Sequence, residues 1–179
     1  MLEALTKSRE EIRHQNAELK KLATQDPLTG CLNRRSFFER FETLFNTARR
    51  YDEPLSCVML DLDRFKSIND QHGHSVGDLV LKKVAATLQH TVRDADLLCR
   101  YGGEESCILL PHLDIENAAA AAERYRQAIE NIVFADLVVT ASIGVSAMVE
   151  SESDPQALLD EADNCLYVAK RQGRNRVAR

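Results

Sequence analysis

The chain has 179 residues, enough for one domain with a full hydrophobic core and some length to spare, and its hydrophobic (44%) and charged (28%) fractions are those of ordinary soluble globular proteins. Its formal net charge of −5 argues against a broad nucleic-acid-binding surface, although a small nucleotide needs only a few local cations. No apolar run approaches the roughly 20 residues that cross a bilayer, and the charged N-terminus lacks the apolar stretch of a secretory signal, so a cytoplasmic location is expected.

Residues 1–24 read as one polar helix with a thin apolar stripe. Leu5, Ile12 and Leu19 recur every seven residues, and Leu2, Arg9, Asn16 and Ala23 take the companion heptad position. Two readings stand for it. It is a weak coiled-coil seam interrupted by Arg9 and Asn16, which would pair two copies of the chain, or a solvated helix lying on its own domain. A helix this polar fits the end of a signalling stalk, with an upstream sensory domain outside this chain. Asp26-Pro27-Leu28-Thr29-Gly30 is a turn, since proline breaks the helix and glycine permits positive φ. Asn33 then caps a helix running to about Arg50, with Phe37, Phe41, Leu44 and Phe45 on one face.

Residues 55–62 are a nearly continuous apolar run, suited to a strand buried on both faces. The run ends in two acids, Asp61 and Asp63, read as pointing to opposite faces so that only one serves a given site. From Ser75 to about Val92 the pattern is helical, with Val76, Val80, Val84 and Leu88 four apart. Residues 97–101 and 106–110 are short strands around the hairpin signal Gly102-Gly103-Glu104-Glu105. A helix follows from about Ile115 to Asn131, then a β-branched strand over Val138–Ser146. The last helix opens with Asp154 as cap and Pro155 in its first turn and closes before Gly173. The order α-β-α-β-β-α-β-α gives an α/β sandwich with a mixed sheet. Five cysteines, Cys31, Cys57, Cys99, Cys107 and Cys165, lie scattered with no C-x-x-C pair, most within apolar stretches. They read as small hydrophobes rather than a disulfide framework or a zinc site.

Several residues carry chemistry. An acid at the end of a buried strand is costly unless a cation or hydrogen bonds compensate it, and magnesium takes one or two carboxylates, completing its shell with water and phosphate oxygens. The alternative is that Asp61 and Asp63 merely end the strand in solvent. In the hairpin, Gly102 and Gly103 remove side chains where a ligand could approach closely, although a glycine pair also makes a plain tight turn. Asn69 and Asp78 are candidate base readers, because a carboxylate can accept the adjacent N1–H and N2 amine of guanine together. Ser75 and Asp78 equally match a helix capping box. Lys170 and Arg174 could grip phosphate oxygens, or simply complement the helix dipole.

Five segments occur in a fixed order: Asp26 to Arg35, Asp61-Leu62-Asp63-Arg64-Phe65-Lys66-Ser67-Ile68-Asn69-Asp70, Gly73 to Asp78, Arg100-Tyr101-Gly102-Gly103-Glu104-Glu105-Ser106, and Ala162 through Lys170 to Asn175. In that order and spacing they resemble the GGDEF diguanylate cyclase family over about residues 24–179. The resemblance implies a nucleotidyl-cyclase or polymerase-palm-like domain over 25–179 with a mixed, mainly antiparallel central sheet and flanking helices. It implies condensation of two GTP into cyclic di-GMP and pyrophosphate, each half of a homodimer holding one GTP. By similarity Asp61, Glu104 and the Leu62 carbonyl hold two Mg²⁺ (or Mn²⁺) ions, and Glu104 helps to remove the attacking proton, while Glu105 completes the acidic signature. Asn69 and Asp78 read guanine, Lys66, Lys170 and Arg174 hold the β- and γ-phosphates, and Phe65 and the Lys66 backbone line the phosphate loop. Arg93 and Asp96 fit the family's R-x-x-D inhibitory site for the product. One position departs: Ser106 stands where the family has Phe, on the same face as Ile108 and Leu110. Losing a core aromatic costs about 3–5 kcal/mol, so a looser or repacked hairpin is expected. Cys31 in place of Leu is a milder change. Ser106 also leaves open a second reading, a module that binds cyclic di-GMP or GTP without turnover. A cyclase acting on one ATP is disfavoured by Asp78.

Overall fold

The computed structural model describes residues 2–149 and 154–179. In chain order the elements are α1 (Leu2–Thr24), α2 (Arg34–Tyr51), β1 (Leu55–Leu62), α3 (Phe65–His72), α4 (His74–Thr91), β2 (Leu97–Arg100), β3 (Glu105–Pro111), α5 (Ile115–Glu130), β4 (Ala141–Ala147), α6 (Pro155–Arg171) and β5 (Val177–Ala178). The five strands form one sheet in the order β2-β3-β1-β4-β5. All pairings are antiparallel except β4 with β5, so the expected mixed, mainly antiparallel sheet is present.

The continuous apolar run of β1 has a simple cause. It is the central strand, and both of its faces are covered. Val58, Leu60 and Leu62 face α4 and α5, in a core with Ile108, Leu110, Ile143 and Tyr125. Cys57 and Met59 face the other way, against Phe37, Phe41 and Phe45 of α2 and Leu158, Ala162 and Leu166 of α6. All five cysteines are buried free thiols. Asn33 caps α2 by accepting the Ser36 amide, and Asp154 caps α6 by accepting that of Gln156.

Two expectations are corrected and one element is added. The helix expected from Ser75 begins at His74, with Gly73 (φ 84°) in the cap position and no side-chain cap, so Ser75 and Asp78 do not form a capping box. The segment between Lys66 and Gly73 is a two-turn helix, α3, too short for its apolar pair Phe65 and Ile68 to set a period. The strand expected from Val138 starts at Ala141, because Val138 is exposed and stays outside the sheet. α1 makes little contact with the domain: Ile12, Leu19 and Leu22 are all exposed, so the helix does not lie on its own domain. Among the described residues no helix is long and apolar enough to cross a membrane.

Two contacts fix the frame around the site. At Gly144 of β4 the α6 backbone approaches so closely that an added Cβ would lie 2.0 Å from the Ala162 carbonyl oxygen and 2.2 Å from the Leu166 nitrogen. At the junction after α1, Asp26 accepts both the amide and the hydroxyl of Thr29 and is paired with Arg100 (3.1 Å). The same guanidinium donates to the Gly103 carbonyl from Nε and Nη2. Burial pushes the Asp26 carboxyl up, but Thr29 and Arg100 outweigh it and hold the group below its ordinary value.

A Gly144→Ala variant is expected to lose about 3 kcal/mol of stability in urea unfolding, since only backbone could move to make room. A folded-state pKa held down contributes stability that is present above the unfolded value and is lost as pH falls through the folded one. The stability advantage of the wild type over Asp26→Asn is therefore expected in full at pH 7 and to shrink progressively as pH falls below the ordinary carboxylate range, as read by thermal melting across an acid pH series.

Candidate active site

The site gathers at the C-terminal end of β1. Asp61 is the last acid on the strand proper, largely buried, and directly opposite Glu105 in the β1–β3 register. Glu104 stands next to that pair, with its carbonyl accepting the Leu62 amide at 3.4 Å. Lys170, in the last turn of α6, reaches across the sheet and places Nζ 2.8 Å from Asp61 Oδ2. Burial raises the Asp61 pKa; Lys170 pulls it back, the charges of Glu104 and Asp63 push it up again, and the net direction is upward. Glu105 is raised by burial and then by Asp61. One lysine does not neutralise this group of carboxylates.

Asp63 corrects the reading of the strand end. Residues two apart on a strand share a face. Accordingly Asp63 accepts the hydroxyl of Ser142, the cross-strand partner of Asp61, so both acids lie on the α6 side. They differ in partners rather than in face: Asp61 meets a cation, whereas Asp63 is met by hydroxyls and a backbone amide.

The signature turn is shaped by its own acid. A Cβ on Gly102 would sit 2.7 Å from Glu105 Oε2, so this position must lack a side chain for Glu105 to fold back over it. Gly103 faces open space. Ser106 is half-buried, and the gap beside it, lined by Cys31, Leu62, Leu81, Val84 and Ala85 among others, holds about 10 Å³. That is scarcely room for one water. The gap beside Ser106 is far smaller than an aromatic ring.

Asn69 of α3 lies against Gly77 of α4. A Cβ on Gly77 would fall 1.9 Å from Asn69 Oδ1, so glycine is what admits the amide. Asn69 Oδ1 is buried without a hydrogen-bond partner among the described residues. An unpaired buried acceptor is costly, and such an atom fits a ligand donor. Asp78, one residue on, is exposed and free of the capping role. Lys66 is exposed in the first turn of α3, whose N-terminus has no side-chain cap, leaving its amides available to an anion. The Phe65 side chain is buried in the core, so its contribution to a phosphate loop is through backbone. Arg174 lines a cleft of about 430 Å³ with Asp63, Arg64, Ser67 and Asn175.

Arg93 and Asp96 are brought together, but not as equals. The Asp96 side chain is fully buried and takes the Arg93 amide (2.8 Å), the Arg93 guanidinium (2.7 Å) and the Tyr125 hydroxyl (3.4 Å). Arg93 remains 44% exposed. Asp96 holds the arginine from below, and the arginine is the group offered to solvent.

The sequence gives no functional role to Asp26, Arg100 or Asn175, although all three lie in the quoted segments, and Asp63 is read there only as one of two alternative strand-end acids. A larger apolar cavity, about 540 Å³, lies at the opposite end of the sheet between Leu55, Leu113, Val145 and Met148, and none of the expected site residues lines it.

As for a metal, no group of three or more His, Cys, Asp or Glu side chains among the described residues is arranged to hold an ion unaided. Asp61, Glu104 and the Leu62 carbonyl still fit a hard cation that completes its shell with water and phosphate oxygens, and the uncompensated negative charge favours one.

The family model described as "Diguanylate cyclase, GGDEF domain" matches residues 23–176. The response regulator PleD of Caulobacter vibrioides is 42% identical over 162 residues, covering 87% of this chain and 36% of PleD. The diguanylate cyclase VdcA of Vibrio cholerae is 37% identical over 183 residues, covering 98% of this chain and 52% of VdcA. The chain thus spans about a third to a half of these relatives. Among solved structures, the coiled coil and GGDEF domain of DgcB from Caulobacter crescentus, in complex with c-di-GMP, superposes with a TM-score of 0.88 at 27% identity, covering 99% of this chain and 96% of that one. The sheet and its flanking helices are therefore the palm-like fold of nucleotidyl cyclases, and the chain belongs to the GGDEF-domain family of diguanylate cyclases.

Proposed function

We propose that this chain condenses two GTP molecules into cyclic di-GMP, releasing two pyrophosphates, with two copies of the chain each presenting one bound GTP to the other. The observation that carries the reading is the gathering of Asp61, Glu104 and Glu105 at one strand end, where burial first and neighbouring acids second raise Asp61 and Glu105 although Lys170 is 2.8 Å from Asp61. Two Mg²⁺ or Mn²⁺ ions held by Asp61, Glu104 and the Leu62 carbonyl would neutralise phosphate charge and acidify the attacking 3′-hydroxyl.

The protein's own groups divide the remaining work. Asn69 Oδ1 and the Asp78 carboxylate accept the N1–H and N2 amine of guanine, satisfying an acceptor that otherwise has no donor. Lys66, Arg174 and the free amides at the start of α3 hold the β- and γ-phosphates. Lys170 exchanges its bond to Asp61 for a phosphate oxygen as the acid takes up its metal role. Glu104 accepts the proton of the 3′-hydroxyl, whose oxygen bonds to the α-phosphorus of the facing GTP while pyrophosphate leaves, and the step repeats with roles reversed. Neither chain alone holds both reacting groups, so the activity requires a dimer, for which the exposed Ile12 and Leu19 on α1 are a suitable seam. Exposed Arg93, oriented by Asp96, is the anchor of an inhibitory product site.

Incubation with GTP and Mg²⁺ followed by chromatography tests the reaction. Cyclic di-GMP and pyrophosphate are expected from the wild type, with roughly 100-fold or greater loss in Asp61→Asn and Glu104→Gln. No product from a dimeric wild type, with turnover gained in Ser106→Phe, would instead support the receptor reading. In a cyclic di-GMP titration, Arg93→Ala is expected to weaken product binding about tenfold, the loss of one charge-assisted contact, and to relieve inhibition.

A further inference from the structure

Asp63 is a strand-end acid that the proposed chemistry does not use. Its Oδ1 accepts the Ser142 hydroxyl at 2.6 Å, and its Oδ2 accepts both the Thr140 hydroxyl at 2.7 Å and the Asn175 amide at 3.0 Å. A buried carboxylate with three donors in place has little left to offer a cation.

The third donor has consequences. Gly173, Arg174 and Asn175 follow one another at φ 118°, 65° and 46°, so two residues with side chains sit in succession in left-handed backbone. Such conformations persist only where the surroundings over-determine them. Here the turn is pinned from both sides. Its start is closed by the Arg174 amide on the Ala169 carbonyl (3.1 Å). Its end is held by Asp63 and by the Asn175 side chain, which accepts from Arg126 (2.7 Å) and donates to Glu130 (2.8 Å). Arg174 has no carboxylate partner among the described residues, and it lines the same cleft as Asp63 and Arg64.

We propose that Asp63 is a positioning residue: by holding the Asn175 amide it keeps the turn left-handed and aims the Arg174 guanidinium at the triphosphate, without itself touching metal or nucleotide. This rests on the phosphate role given above to Arg174. An asparagine at 63 can do the same work, since its oxygen can face Thr140 and Asn175 while its nitrogen donates to Ser142 Oγ. It could not replace a metal-ligating carboxylate.

The test is binding of inorganic tripolyphosphate to the full chain by calorimetry, with no divalent metal present so that metal ligation cannot contribute. Asp63→Ala and Arg174→Ala are each expected to weaken binding about tenfold, the double variant no further than Arg174→Ala alone, and Asp63→Asn is expected to stay within about threefold of wild type. Effects that multiply in the double variant, an Asp63→Asn as impaired as Asp63→Ala, or a wild type that does not bind tripolyphosphate would overturn the proposal. If Asp63→Ala does not fold, hydrogen exchange at the Asn175 amide of the wild type decides: protection is expected, and exchange at the rate of an open loop refutes the clamp. A chain that binds tripolyphosphate as described yet makes no cyclic di-GMP sinks the cyclase reading and leaves this one standing.

Discussion

The domain is organised around an electrostatic problem at the end of a buried strand. β1 is covered on both faces and buried along its whole length, Asp61 near its end included. Placing Asp61 there, opposite Glu105 and beside Glu104, collects negative charge where water is already scarce. Desolvation and like-charge repulsion act in the same direction, and a single lysine from α6 offsets only part of them. The surrounding architecture can be understood as what keeps these groups together. The hairpin brings the glutamates, α6 brings the counter-cation, and the core prevents either from retreating.

The junction between α1 and the domain is joined to this region by short polar steps. Thr24 and Ala23 accept from Asn33, Asp26 accepts from Arg100, and Arg100 grips the carbonyl of Gly103 in the signature turn. The turn that faces open space is therefore braced from the side on which α1 enters. Arg100 is only 21% exposed and Asp26 18%, so their attraction is screened less than that of a surface pair.

Much of this was legible in the sequence because the signals are local. The apolar run at 55–62 gave the central strand, Asn33 and Asp154 with Pro155 gave helix starts, and Gly102-Gly103 gave the hairpin. What stayed hidden depends on contacts that no periodicity carries. Asp63 and Asn175 are 112 residues apart, and Asp26 and Arg100 are 74 apart. α3 was missed because two turns hold too few apolar residues, and β5 because two residues become a strand only through β4. The assignment of Asp61 and Asp63 to opposite faces failed for a simpler reason: residues two apart share a face, and what distinguishes the pair is the company each keeps. Asn69 and Asp78 were legible as residue types, but the orphaned oxygen of Asn69 is a fact of packing against Gly77.

The bare backbone contact at Gly144 has a mechanical meaning. With no side chain between β4 and α6, the helix is keyed to the sheet like a tooth in a rack, and axial slip of even a fraction of a turn would drive main chain into main chain. Lys170 and Arg174 ride at the far end of that helix and just beyond it, so their reach is measured from the sheet rather than from the connection that leads into α6.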